Sequence, residues 1–454
     1  MIVISVPASN NQLKLKNDEY LEYRLDLQTE AGKTDHLKID ERTIITWRQD
    51  TENKDQHKQK KELFTLLVEQ TTCLIDIELE NYHYYQELSK NMILSVHYDD
   101  FDREKIQATL QEFHQKKARI YKLVVKADKY SQLMALREMT EEFPHDLFVL
   151  STGALSIFSR IMYHYLNSIG TYLGIDGQYT APNQIDRDFF YLLKAEQIDS
   201  QSLLGGLIGG AQIYQSRGYQ HYNYLREFTE NNAFYLPFFT DEIDDLLSFI
   251  RESGLHFYGF SITMPYKYMG KKAIPANYYL PNKEIYGNTD IIALREGLNK
   301  LEIKPQNSIL ILGSGATAES ALIALKENKH QMTRVSLFAR NKERVQNLNN
   351  MYSTGDYKEK VGQYDLLINC TPIGLQNEDL SLFLNGIVFK KLIDLPYLLN
   401  GITPICQQIK PNDCFSGSEF WQAQAEYQLA IFIESIFEQK KEGKHLRLPS
   451  SILL

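Results

Sequence analysis

Eight short runs of β-branched and aliphatic residues recur through the first 195 positions: "IVISV", "YLEYRLDL", "TIITWR", "CLIDIEL", "MILSVH", "IYKLVVKA", "LFVLST" and "GTYLGI". Helix-like segments lie between several of them, among them "KKELFTLLVEQ", "REKIQATLQEFHQKK", "YSQLMALREMTEEF" and "IFSRIMYHYLNSI". Strands that alternate with helices pair in parallel, because each helical crossover returns the chain to the same end of the sheet. Eight such strands close a (β/α)8 barrel, compact for that fold and ending near residue 195. An open parallel sheet is the competing arrangement.

A second strand–helix series starts at "GGLIGG" and runs to about residue 300. "NSILILGSGATAESALIALKE" then opens a third unit, in which a buried strand meets a glycine turn and a helix. "RVSLFAR", "DLLINCTPIG" and "KLIDLPY" follow as strand-and-loop units, and "GSEFWQAQAEYQLAIFIESIFEQ" reads as one long helix. The expected class is α/β throughout, with a barrel over 1–197, a second α/β domain over 203–300 that takes back the helix 419–454, and a Rossmann domain over 301–418.

The composition excludes several classes. The net charge of −9 and the lack of a basic block argue against a nucleic-acid partner. Cys73, Cys370, Cys406 and Cys414 have no CxxC spacing and read as reduced core thiols, so neither a disulfide frame nor a metal site is expected. "LLGGLIGG" is too short to span a bilayer, and "MIVISVP" lacks the basic start of a signal peptide. The expected compartment is the cytoplasm, with no membrane partner, and a homodimer is one assembly open to the chain.

Polar residues in or just after barrel strands mark the chemistry, since active residues gather where several strands end on one face. "LEYRLDL" carries Glu22 and Arg24, two apart and so on one side. "TWRQDTE" carries Arg48 with Glu52 beyond it, "LSVHYDD" carries His97, and Arg160 and Gln184 follow the seventh and eighth strands. Lys122, within "RIYKLVVKAD", reads either as a lysine that snorkels to water or as an amine desolvated for reaction. A lysine, a histidine and three arginines from separate strands suit a small anionic carbonyl compound: lysine forms imines, histidine moves protons, arginine clamps carboxylates. Burial and the nearby arginines are expected to favour the neutral amine.

Residues 1–195 resemble type I 3-dehydroquinate dehydratase through "EYRLD", "TWRQDTE", "SVHYDD", "YKLVV", "FSRI" and "TAPNQI", in that order. The resemblance implies a Schiff base between Lys122 and the ketone of 3-dehydroquinate, His97 as general acid and base, and Glu52 as the carboxylate that orients His97. It implies substrate contacts from Glu22, Arg24, Arg48, Arg160, Thr180 and Gln184. The family's Ser-Ala-Pro-Gly-Gln is here Thr180-Ala181-Pro182-Asn183-Gln184, which keeps a hydroxyl and puts asparagine, tolerant of glycine-like backbone angles, where the family has glycine.

In the last unit, Gly313, Ser314, Gly315, Ala316 and Thr317 form the turn at which a helix N-terminus would receive a pyrophosphate. After the next strand, Arg340, Lys342 and Arg344, with Asn341 among them, put three cations where an NAD site usually has an acid, which favours a 2′-phosphate and hence NADP(H). Residues 203–454 resemble shikimate dehydrogenase through "GLIG", "SITMPYK", "YGNTD", "GSGATA", "ARNKER", "INCTPIG", "DLPY" and "GSEFWQAQAEYQ". The resemblance implies a shikimate dehydrogenase-like substrate domain with Lys267 as the catalytic lysine and Asp290 as its carboxylate partner. It implies substrate contacts from Ser216, Thr263, Asn277, Tyr397 and Gln424, and places Leu395 and Gly417 near the nicotinamide.

The dehydrogenase half departs from its family at several points. The second serine of the family's Ser-x-Ser pair is Gly218, its His-Asn is Tyr222-Asn223, and its Asn-Val-Thr asparagine is Ser261. Together the resemblances imply consecutive reactions in one chain: 3-dehydroquinate loses water to give 3-dehydroshikimate, which NADPH reduces to shikimate. Two alternatives stay open for the second half, a quinate/shikimate-type dehydrogenase of another substrate or cofactor, and a dinucleotide-binding module without turnover.

Overall fold

The computed structural model describes residues 1–8, 13–27, 37–48, 54–228, 232–270, 274–355, 362–375, 384, 386–398 and 401–441. It divides into two compact units, Met1–Leu203 with Leu236–His256, and Leu204–Tyr235 with Phe257–Leu454.

The first unit is a (β/α)8 barrel. Its strands are β1 (Ile2–Pro7), β2 (Glu19–Arg24), β3 (Thr43–Thr46), β4 (Leu74–Glu78), β5 (Met92–Tyr98), β6 (Ile120–Lys126), β7 (Leu147–Thr152) and β8 (Thr171–Leu173), in the order β7-β6-β5-β4-β3-β2-β1-β8. The circle is drawn together by Thr171 N–H on the Met1 carbonyl and Ile169 N–H on the Leu147 carbonyl, both at 3.0 Å.

The inward face changes character along each strand. Val3, Ile44, Leu74, Ile93 and Ile120 come first and join Phe148, Leu150 and Tyr172 in a buried floor. Ser5, Thr46, Asp76, Ser95 and Lys122 come two residues later, and so lie on the same face nearer the C-terminal mouth. Apolar contact holds the floor while polar groups collect at the mouth, where a barrel carries its chemistry.

Glu19, fully buried, ties β2 to the helix Arg187–Leu192. Arg187 grips it with two parallel bonds of 2.8 and 2.7 Å, and Tyr191 adds a third at 2.9 Å. The segment Leu236–His256 clusters with the barrel although its sequence position falls within 203–300. Its helix Ile243–Glu252 meets the helix Tyr130–Thr140, where Tyr130 N–H donates to Asp245 at 2.6 Å and the Tyr130 and Phe249 rings lie 4.9 Å apart.

Two further sheets follow the barrel strands. One runs β10-β9-β11-β12-β13, with β9 (Leu203–Gly209), β10 (Ala233–Phe239), β11 (His256–Ile262), β12 (Tyr278–Leu280) and β13 (Ile285–Gly287). β11, β12 and β13 pair antiparallel, so this part departs from a plain strand–helix series. The other is a parallel Rossmann-type sheet, β15-β14-β16-β17-β18, built from β14 (Ile309–Leu312), β15 (Val335–Phe338), β16 (Gly362–Asn369), β17 (Ile387–Asp394) and β18 (Cys414–Phe415). Its chain order reverses beside β14, which opens a crevice at the C-terminal ends of the strands. The long helix covers Gly417–Lys441; positions 442–454, expected to continue it, lie outside the described residues. No described helix is long and apolar enough to cross a membrane.

Candidate active sites

At the barrel mouth, Lys122 is buried on β6. Its amine donates to Asp76 Oδ2 at 2.8 Å, lies 3.8 Å from Glu22 Oε1, and sits 4.1 Å from the centre of the Tyr172 ring. The amine is therefore caged by two carboxylates and an aromatic face, not by arginines as the sequence suggested. Asp76 also accepts from Ser95 Oγ at 2.5 Å. Burial pushes the Asp76 carboxyl up, but Lys122 and then Arg48 outweigh it and hold that carboxyl well below the usual carboxylate range.

His97 lies two residues beyond Ser95 on the same face of β5. Arg48 Nη2 is 2.7 Å from His97 Nε2. Guanidinium has no acceptor, so Nε2 must be the unprotonated nitrogen of a neutral ring. Desolvation, Arg48 and Lys122 together push His97 well below its ordinary value. Because the ring is exposed at the mouth, the two cations are the firmer cause. Glu78 holds Arg48 in place through Nη1 at 3.3 Å and is itself met by the buried Lys60 at 3.4 Å. Burial lowers the Lys60 ammonium more than Glu78 and Asp76 raise it. Glu52, the expected orienting carboxylate, lies outside the described residues.

A hydroxyl chain joins the remaining predicted positions. Glu22 accepts from Thr46 at 2.6 Å and from Ser5. Ser5 Oγ lies 2.6 Å from Thr180 Oγ1, and Thr180 N–H donates to Gln184 Oε1 at 3.0 Å. Arg24 donates to the Thr180 carbonyl at 2.9 Å while Asp26 grips its other edge. Asn183 adopts φ +51°, the left-handed conformation that its place in "TAPNQI" suggested. Arg160 stands apart: it is 2% exposed, and its donors go to the carbonyls of Tyr172, Ser151 and Ser156 and to the Ser156 hydroxyl. Burial pushes its guanidinium down to about 10.

In the second unit Lys267 and Asp290 form an ion pair of 2.5 Å. Asp290 lies in the first turn of the helix Thr289–Lys300, and its other oxygen accepts from Asn277 at 2.8 Å. Asn277 is held by Thr289 N–H at 2.8 Å and lies 3.3 Å from Gln424 Oε1. Two of the family departures meet at one amide. Tyr222 and Ser261 both donate to the buried Gln428, at 3.0 and 2.6 Å, and Gln428 in turn donates to the Asn277 carbonyl at 3.1 Å. Gly218 also has a local reason. A Cβ there would stand 3.1 Å from Ser216 Oγ and 3.3 Å from the rings of Tyr222 and Tyr235. Ser216 accepts from Gly218 N–H at 3.0 Å, and the Tyr397 ring lies 5.3 Å from the Arg217 guanidinium. Thr263 holds the end of β11 by donating its N–H to Ile208 at 2.9 Å.

The glycine turn follows β14. Gly313 has φ +112°, open to glycine and strained for other residues, and its N–H donates to Phe338 at 2.8 Å. Nothing stands within 4 Å of a Cβ on Gly315, which caps the helix Ala316–Glu327. Ser314 and Thr317 are half-buried beside this open approach to the helix N-terminus, the geometry a diphosphate takes. Arg340 and Lys342 are exposed just beyond β15, while the Asn341 side chain caps the helix Lys342–Tyr352. Arg344 is paired with Glu319. A Cβ on Gly417 would collide with the Pro396 carbonyl at 2.1 Å, so the long helix starts pressed onto the segment that holds Leu395. A strand-end glycine turn with open backbone and exposed cations fits a dinucleotide that carries an extra phosphate.

Several neighbours were not singled out in the sequence. Asp76 and Glu78 are two apart in "LIDIEL", the same signal that marked Glu22 and Arg24. Gln428 lies one helical turn from Gln424. Tyr172, Glu319 and Tyr268 carried no such signal.

The family model for type I 3-dehydroquinase matches residues 15–189. A shikimate dehydrogenase (NADP(+)) of Clostridium botulinum strain Hall is 30% identical over 192 residues, covering 38% of this chain and 72% of that protein. The shikimate biosynthesis protein AroDE of Chlamydia pneumoniae is 26% identical over 303 residues, 62% of each chain. Among solved structures, the dehydroquinate dehydratase and shikimate dehydrogenase of S. pombe AroM is similar at 17% identity over 92% of this chain and 93% of that one, with a TM-score of 0.36.

Proposed function

The chain belongs to the shikimate dehydrogenase family and carries a type I 3-dehydroquinase domain over residues 15–189, and from that premise we propose how its two sites carry two consecutive reactions. It is a bifunctional shikimate-pathway enzyme, a 3-dehydroquinate dehydratase and an NADP-dependent shikimate dehydrogenase. The observation that carries the reading is the pair of lysine–carboxylate contacts, Lys122–Asp76 and Lys267–Asp290, one in each unit.

In the barrel, Lys122 gives up its proton and attacks the ketone of 3-dehydroquinate. Water leaves and an imine forms. The imine draws electrons from the adjacent carbon, so the α-proton is lost and the β-hydroxyl departs as water. His97, neutral at rest, takes and returns the protons. Hydrolysis then frees 3-dehydroshikimate and Lys122. Asp76 and Glu22 hold the amine before reaction, and Arg24, Arg48, Thr180 and Gln184 would meet the carboxylate and hydroxyls of the substrate. Arg160 needs to turn outward to join them.

In the second unit, bound NADPH supplies the hydride. Lys267 donates a proton to the carbonyl oxygen of 3-dehydroshikimate, and Asp290 holds the ammonium toward it through a charge-assisted hydrogen bond. Asn277, Gln424, Thr263, Tyr397 and Ser216 complete the substrate contacts. Leu395 and Gly417 would line the nicotinamide side, and Arg340 and Lys342 would hold the 2′-phosphate. The reading includes a cytoplasmic location and a homodimer, the latter checked by sedimentation.

Borohydride added with 3-dehydroquinate should leave a covalent adduct on Lys122, located by mass spectrometry. An unmodified Lys122 in an active sample would rule out the imine.

A further inference from the structure

The loop that carries Lys267 is tied to the cofactor side of its unit through one buried carboxylate. Glu319, in the helix Ala316–Glu327, is 0% exposed. A buried carboxylate persists only when hydrogen-bonded and charge-paired. Tyr268, which directly follows Lys267, donates its hydroxyl to Glu319 Oε2 at 2.6 Å. Arg344 Nη2 meets the same oxygen at 2.6 Å, and Tyr352 donates to Oε1 at 3.0 Å. Arg344 Nη2 also lies 2.7 Å from the Tyr268 hydroxyl, and its guanidinium carbon is 5.3 Å from the centre of that ring. Arg340 and Lys342 are exposed and, among the described residues, pair with no carboxylate.

The same region therefore holds two kinds of cation. Drawing Arg344 away to a phosphate would leave the buried Glu319 with two hydroxyls and no countercharge, an expensive state in a low-dielectric site. Arg340 and Lys342 can meet a phosphate without breaking any ion pair. The helix that begins at the glycine turn also carries Glu319, so whatever seats that turn also bears on Tyr268 and, one residue back, on Lys267.

We propose that Arg344 is not a contact to the cofactor's 2′-phosphate but, with Glu319 and Tyr268, forms a latch that positions Lys267, leaving Arg340 and Lys342 to set the preference for NADPH. This rests on the dehydrogenase reading. Tyr268, Glu319 and Arg344 are thus positioning residues.

The test uses the full chain and two readouts, the dissociation constants of NADPH and NADH by fluorescence titration, and kcat for shikimate oxidation. Arg344→Ala and Tyr268→Phe should lower kcat about 3- to 10-fold, a positioning loss smaller than the whole of one charge-assisted hydrogen bond. Both should leave the NADPH-to-NADH affinity ratio within about twofold, and Arg344→Lys should recover part of kcat. Arg340→Ala should lower that ratio about tenfold or more, as loss of a cation–phosphate bond does. Should Arg344→Ala fail to fold with Glu319 left bare, Glu319→Gln combined with Arg344→Met removes both charges and is read in the same way. An affinity ratio that falls tenfold in the Arg344 variants, with kcat at saturating cofactor unchanged, would overturn the latch. A wild-type chain that binds NADPH without turnover would defeat the dehydrogenase reading, while the affinity ratio would still decide the role of Arg344.

Discussion

Lys122 and Lys267 solve one problem in the same way. In the proposed mechanism each lysine has to be kept in place before substrate arrives, and in both units it makes a short contact to a carboxylate. Asp76→Asn leaves the buried Lys122 with only Glu22 at 3.8 Å, and breaking such a pair is expected to destabilise the barrel by about 3 kcal/mol. Asp76 is held below its unfolded value, so its stabilisation is complete above that value and is lost as pH falls through the folded one. The stability difference between wild type and Asp76→Asn should therefore shrink in acid, as urea titrations at several pH values would show. A constant difference would contradict the assignment. His97 gives a prediction of opposite origin. Its value is depressed by desolvation, Arg48 and Lys122, so it stays unprotonated well below its ordinary 6.5. The acid limb of dehydratase kcat/KM should lie below that value and move upward in Arg48→Gln; an unmoved limb would mean that Arg48 does not tune His97. Lys122, His97 and Arg48 were legible as polar residues in or just after otherwise apolar strands. Asp76 shared the two-apart signal with Glu78, but an acid in a strand ordinarily reads as a solvated face, and it is the hydrogen bond from Lys122 that shows it points inward.

Elements carry their own tests. The Glu19–Arg187 fork binds β2 to the last barrel helix, with a carboxylate that is 0% exposed. Glu19→Gln should lower the urea midpoint of dehydratase inactivation by an amount equivalent to about 3 kcal/mol while NADPH binding by the other unit persists. Equal losses in both would show that the lock is not local to the barrel. Gly218→Ser restores the family's missing hydroxyl on paper, yet its Cβ meets Tyr222 and Tyr235 at 3.3 Å. The substitution is expected to raise, not lower, KM for shikimate. The eight barrel strands were legible because each is an apolar run and helix-forming sequence separates several of them. The β12–β13 hairpin was not, since strands of three residues carry too little pattern and are specified by the neighbours they pair with. Tyr222 and Ser261, which looked like losses one at a time, act together on Gln428, a relation that no single position reveals.

At the scale of the whole molecule, the division into two units assigns one lysine–carboxylate pair to each. The segment Leu236–His256 clusters with the barrel, so the compact units do not follow the linear order of the chain. Sequence pattern gave no sign of this, because the segment reads as an ordinary strand and helix and its partner, Tyr130, lies more than a hundred residues earlier. In the proposed mechanism two separate sites perform consecutive reactions. The most direct measurement follows shikimate formation and NADPH consumption from 3-dehydroquinate in wild type, Lys122→Ala and Lys267→Ala. Wild type should form shikimate. Lys122→Ala should form none until 3-dehydroshikimate is supplied, and Lys267→Ala should accumulate 3-dehydroshikimate with NADPH untouched. Loss of both activities in either variant, or NADPH consumption by Lys267→Ala, would contradict the two-site account.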